Sequence, residues 1–169
     1  MPVHERQSVP SFLQIDAILG RLRGTAALGE VCRFLRREFR HYRWVGIYRR
    51  EGAMLVLDAW DGDQPTEHTR IPIERGICGQ AVREGRTVVV ADVREAPEYL
   101  ACFRGTRSEI VVPIRIGSEI AGEIDIDGDS VGAYDATDRA FLERLAPKLA
   151  GPLADAARLT GAGAPTDRS

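Results

Sequence analysis

The sequence predicts an α+β domain: a central antiparallel sheet of about six strands, with the N- and C-terminal helices packed on one face. Three observations carry that expectation. Apolar residues recur at helical spacing near both ends of the chain. Between those ends the pattern changes to period two, in short runs. The runs are separated by tight turn signals, which suits hairpins and an antiparallel sheet. At 169 residues, 44% apolar and 28% charged, the composition is ordinary for one domain with a real core.

Residues 1–10 hold two prolines and few apolar side chains, and read as a flexible leader to a single domain over residues 11–159. The first helix is predicted over residues 11–23, with Phe12, Ile15, Ile18, Leu19 and Leu22 on one face. Gly24 breaks it. A second follows over 25–40, where Leu28, Val31, Cys32, Leu35 and Phe39 form a stripe that places Cys32 in the core. Residues 44–48 and 54–60 read as a hairpin, with Trp44, Gly46 and Tyr48 on one side. A loop over 61–65 leads to a short strand over 69–73. A short helix over 76–84 stops at Gly85, and 87–90 is a strand. Residues 93–106 lack periodicity and read as a loop, with one helical turn around 98–102; loops of that length tend to be binding segments. Residues 109–116 and 120–127 form a second hairpin through Gly117 and Ser118. Asp135 is placed to cap the last helix, with Asp138 in its first turn. Its stripe is Phe141, Leu142, Leu145, Leu149 and Leu153, with a kink or break expected at Pro147 and at Pro152. Residues 160–169 read as a disordered tail.

A net charge of -2 gives no electrostatic reason to expect nucleic acid or an anionic membrane as partner. The early arginines (Arg33, Arg36, Arg37, Arg40, Arg43, Arg49 and Arg50) read as a solvated face. No apolar run approaches the roughly 20 residues of a membrane span, and the first ten residues lack the apolar stretch of a secretory signal. Three cysteines at wide spacing resemble neither a disulfide framework nor a zinc site. His4, His41 and His68 are too scattered for a metal centre, so no metal is expected. This fits a cytoplasmic protein, where a functional cysteine is catalytic or redox-active more often than structural.

The chemistry-bearing residues gather between residues 76 and 129. Cys78, Cys102, Glu109, Asp125 and Asp127 lie at or between strand-like runs, which suggests a small-molecule pocket with redox chemistry. Asp125 and Asp127 are two apart on one strand and share a face. Glu123 falls on it too, and the alternation alone also fits an exposed polar side; Glu123 is expected at the surface. Cys78 lies at a helix start, where the dipole favours thiolate, or is a packed residue of that helix. Cys102 has Arg104 and Arg107 close in sequence, which suits a reactive thiol.

Six segments together resemble the GAF domain, and within it the free methionine-(R)-sulfoxide reductases. They are WVGIY at 44–48, GICGQA at 76–81, ADV at 91–93, AC at 101–102, SEIVVP at 108–113 and DID at 125–127. The resemblance implies a GAF-like fold and thiol-dependent reduction of free methionine-(R)-sulfoxide, with no cofactor. It implies Cys102 as the nucleophile, Glu109, Asp125 and Asp127 as substrate-binding acids, and Trp44 beside the substrate methyl group. A thioredoxin-like reductant and a homodimer are the implied partners. The family commonly carries a resolving cysteine ten residues before the GICG cysteine, where this chain has His68, read as a surface residue. Either Cys78 resolves the sulfenic acid, or an external thiol does, or the chemistry is lost. The alternative is a non-catalytic GAF sensor that binds a small molecule and dimerises through its terminal helices.

Overall fold

The computed structural model describes residues 3–97, 99 and 105–161. Two helices, α1 (Val3–Arg21) and α2 (Gly24–Glu38), precede strands β1 (Trp44–Glu51), β2 (Met54–Gly62) and β3 (Arg70–Pro72). Helix α3 (Gly76–Glu84) and strand β4 (Val88–Val90) lead through a 3-10 turn, Val93–Glu95, to β5 (Ser108–Ile116) and β6 (Glu119–Gly128). The chain closes with α4 (Ala136–Leu145), a 3-10 turn over Ala146–Leu149, and α5 (Ala150–Gly161). The strands form one six-stranded sheet in the order β3-β2-β1-β6-β5-β4, with every neighbour antiparallel.

Strand alternation divides the sheet residues between two cores. Val45, Ile47, Ile110, Val112, Ile114, Ile124 and Ile126 face α1, α2, α4 and α5, whose stripes supply Phe12, Ile15, Leu28, Leu35, Phe141, Leu142 and Leu153, with Leu149 added from the 3-10 turn between α4 and α5. The terminal helices therefore share one face, as the sequence predicts. Trp44, Tyr48, Leu55, Ile71 and Val111 point the other way and pack with α3 through Ile77, Cys78, Ala81 and Val82.

Local chemistry sets the boundaries. Gly85 takes a left-handed conformation (φ 64°) and stops α3, a backbone geometry that glycine adopts without strain. Asp135 caps α4, accepting from the Thr137 and Asp138 amides at 2.8 and 3.1 Å, while Asp138 accepts from the Asp135 amide at 3.0 Å. Asp138 also accepts from the Tyr42 hydroxyl at 2.9 Å and lies 2.7 Å from His41 Nε2, tying α4 to the approach to β1.

Two expectations differ. The first helix begins at Val3, ahead of the expected residue 11; Val9, 62% exposed, lies on a face with no stripe to read, and Pro10 is accommodated inside the helix. The break expected at Pro147 is present as the 3-10 turn, but Pro152 sits in the first turn of α5. There its missing N–H removes little, because first-turn amides have no intrahelical acceptor. The turn suggested around residues 98–102 lies outside the described residues, as does the tail from residue 162.

Candidate functional site

The site is built on the face that α3 covers. Register brings its residues together: on one side of β6, Trp44 stands opposite Asp127, Gly46 opposite Asp125 and Tyr48 opposite Glu123. On the other side, Glu109 is opposite Asp127 and Val111 opposite Asp125. Paired residues of an antiparallel ladder share a face, so four acids line one patch of sheet. All are buried: Glu109 is 4% exposed, Asp127 2%, and Glu123 and Asp125 0%. The surface position expected for Glu123 is thus wrong. An alternating acid row looks the same in sequence whether it faces water or a covering helix, and α3 covers this one.

Cys78 is the third residue of α3 and is buried over this patch. Its Sγ and one oxygen each of Glu109 and Asp125 lie within 4.8 Å of one another. These are the described donor atoms whose spacing would suit a cation; we assign them no metal. Helix α3 seats closely because Gly79 has no side chain: a β-carbon there would strike the Ile73 carbonyl on the approach from β3.

The patch is rich in protons and poor in partners. No ion pair reaches the four acids among the described residues, and burial raises the pKa of each. Asp125 is pushed up to about 6 by burial, with hydrogen bonds from Glu109 and Cys78 pulling it back down. Glu109 is driven well above the carboxylate range by burial and by the charges of Asp125 and Asp127. These directions favour a proton on Glu109 over one on Asp125. Neither oxygen of Asp125 or Glu123 meets a fixed N–H or O–H donor. The helix dipole expected to favour a Cys78 thiolate is outweighed: burial, then the charges of Asp125, Glu123 and Glu109, push the thiol well above its usual range.

Trp44 forms the wall. Its indole lies across Gly46 and Gly62, where any β-carbon would collide with the ring, and it stacks on Trp60 with centroids 6.2 Å apart and planes 13° apart. A cleft of about 250 Å³ opens beside it, lined among the described residues by Trp44, Asp127, Thr106, Gly105, Arg43 and Asp129. Arg43 pairs with Asp63 at 3.0 Å and with Asp129 at 3.2 Å on its rim.

The structure brings together Cys78, Glu109, Asp125, Asp127 and Trp44, and adds Glu123. Cys102 lies outside the described residues. His68 is half-buried rather than at the surface, and its carbonyl accepts from the Tyr48 hydroxyl at 2.9 Å. Cys32 is buried in the other core, and burial pushes its thiol beyond useful ionisation. A buried acid patch beside a thiol and an aromatic wall can hold a cationic group and supply protons to a reacting centre.

Comparison with known proteins places these features in context. A family model described as the GAF domain matches residues 25–151. The free methionine-R-sulfoxide reductase of Escherichia coli is 32% identical over 124 residues, covering 73% of this chain and 74% of that protein. The structure is similar to that of the free methionine-R-sulfoxide reductase from Neisseria meningitidis in complex with its substrate (34% identity, TM-score 0.78, 86% and 87% coverage). It is also similar to a type II free methionine-R-sulfoxide reductase from Thermoplasma acidophilum, at 39% identity and TM-score 0.74, over 76% of this chain and 91% of that one.

Proposed function

The chain belongs to the GAF domain family, and within that family we propose that it reduces free methionine-(R)-sulfoxide to methionine with a cysteine nucleophile. The observation that carries this reading is the buried acid patch between Cys78 and Trp44, which has no counter-cation among the described residues. A free amino acid sulfoxide supplies the missing cation as its ammonium group, and Asp125 and Asp127 are its natural partners. Trp44 offers an apolar wall to the methyl group.

In this reading Cys102 attacks the sulfoxide sulfur while the oxygen takes a proton, because its expulsion as a bare anion is prohibitive. Glu109, held protonated by burial and by its acidic neighbours, suits the donor role. The bond between the two sulfurs then breaks as the hydroxyl passes from the methionine sulfur to Cys102, so methionine departs and Cys102 is left as a sulfenic acid, which condenses with the Cys78 thiol to a disulfide and water. Cys78 thus fills the role that the family gives to the position occupied here by His68. A thioredoxin-like dithiol then restores both thiols. We read the protein as a cytoplasmic homodimer joined through its terminal helices, for which sedimentation of Leu13→Asp, changed at an exposed position of α1, against the parent chain is the test. Cys102→Ser decides the chemistry: the reading requires loss of methionine formation, and unchanged turnover would sink it.

A further inference from the structure

A free amino acid sulfoxide carries an α-carboxylate as well as an ammonium, and the acid patch can only repel the carboxylate. Both groups hang from one carbon, so a receptor for the carboxylate must lie beside the acids. The cleft at Trp44 is built that way. Its buried lining includes Asp127, 2% exposed. Its rim holds Arg43, whose side chain is 47% exposed and is the one cationic side chain among the described residues that line the cleft. The Arg43 amide donates to the Asp127 carbonyl at 2.9 Å, so acid and base rise from adjoining backbone. The present partners of Arg43 hold it weakly. Asp63 and Asp129 are 59% and 58% exposed, and ion pairs between such groups contribute little. Asp63 also has Arg36 at 2.8 Å, and so stays paired if Arg43 turns away. A guanidinium presents more N–H donors in one plane than these two contacts use.

We propose that Arg43 receives the α-carboxylate of the substrate, so that the cleft reads both charges of a free amino acid, ammonium toward Asp127 and carboxylate toward Arg43. The ligand is that of the proposed reductase reading, on which this inference rests. Binding exchanges the exposed pairs of Arg43 for a planar, charge-assisted contact with the ligand, while Asp63 falls back on Arg36. The other charged groups lining the cleft, Asp63, Asp127 and Asp129, are acids, so a ligand turned end for end would meet only repulsion. Arg43 thus sets orientation and the preference for a free carboxylate, and takes no part in the sulfur chemistry. Its loss acts on KM and not on kcat. Because Arg43 is half exposed, the expected effect is about tenfold, the low end for a hydrogen-bonded charge.

The test compares two probes, free L-methionine-(R)-sulfoxide and its primary amide, which keeps the ammonium and the sulfoxide but lacks the carboxylate. Steady-state kinetics are run at about pH 6.5, where both amines carry a proton. Arg43→Gln should raise KM for the acid about tenfold, leave KM for the amide unchanged, and keep kcat for both. Arg43→Lys, which keeps the charge and loses the planar fork, should fall between parent and Arg43→Gln. Asp129→Asn frees Arg43 from a competitor and should lower KM for the acid. If Arg43 served only to hold Asp129, Asp129→Asn would instead weaken binding as Arg43→Gln does. That result, or an equal rise in KM for both probes in Arg43→Gln, overturns the inference and leaves the reductase reading intact. Calorimetric binding of the same probes to Cys102→Ser, with and without Arg43→Gln, separates the two ideas. A preference for the acid that vanishes with Arg43 upholds the inference even where the parent forms no methionine, a result that rejects the reductase reading alone. Equal binding of acid and amide before and after the substitution overturns the inference.

Discussion

Gly46→Ala is the substitution that most directly probes how the fold makes the site. Gly46 needs no unusual backbone conformation, since its φ is not among the positive values, so the variant acts through space alone. The added methyl would sit roughly 1 Å inside ordinary contact with the Trp44 ring, with Leu57 Cδ1 on its flank at 3.2 Å. The indole is rigid, 2% exposed and backed by Trp60, so it has no free direction except toward the cleft. Overpacking of this kind costs about 1–3 kcal/mol. For a domain of this size that is a fall in melting temperature of about 2–4 °C per kcal/mol. The displaced ring also narrows the cleft, so KM for free methionine-(R)-sulfoxide rises more than kcat falls. Urea unfolding, tryptophan emission and steady-state kinetics read these effects. Gly20→Ala is the control: it lies in α1 with nothing within 4 Å of its β-carbon and should be neutral or stabilising. Unchanged stability and unchanged emission in Gly46→Ala would refute the packing argument.

The raised acids make a pH prediction. The folded state holds the Asp125 proton to about 6, against an ordinary 3.8, so this stabilisation is complete below about pH 4. It is lost as pH rises through about 6, a change on the order of 3 kcal/mol. Melting temperatures of ligand-free protein minus those of Asp125→Asn should therefore fall across that window; a flat or rising difference would contradict it. Asp138→Ala should destabilise more than Asp135→Ala, by about 1–3 kcal/mol beyond the cap, since it also strips the buried Tyr42 hydroxyl of its acceptor; equal urea midpoints would argue otherwise. Asp92, held down to about 2 chiefly by hydrogen bonds from Arg94, also pairs with Arg107, and the Val93 amide donates to the Arg107 carbonyl at 2.9 Å. Asp92→Asn should speed hydrogen exchange at Val93 while leaving β1 protected. Cys32→Ala should keep single-turnover methionine yield, as expected of a thiol in the far core.

The fold was legible because its signals are local. Stripes such as Phe141, Leu142, Leu145 and Leu149, the Asp135 cap and the Gly85 stop each act within a few residues. The site was legible in part through spacing, since Asp125 and Asp127 must share a face. What alternation could not tell is what covers that face. Glu123 was misjudged because its burial depends on α3, a helix about forty residues earlier in the chain. The state of Cys78 failed for the same reason: its local helix dipole favours thiolate, but three acids from β5 and β6 reverse the sign. The need for Gly46 and Gly62 beneath Trp44 was likewise invisible, because Gly62 meets that ring only through the β1–β2 register.

The most direct test of the account is a single turnover of the pre-reduced full chain with free L-methionine-(R)-sulfoxide, counting methionine formed and thiols lost. The account predicts one methionine per chain and two thiols lost, with peptide mapping joining Cys78 to Cys102. No methionine under these conditions would contradict it and leave a GAF domain that binds its ligand without turnover.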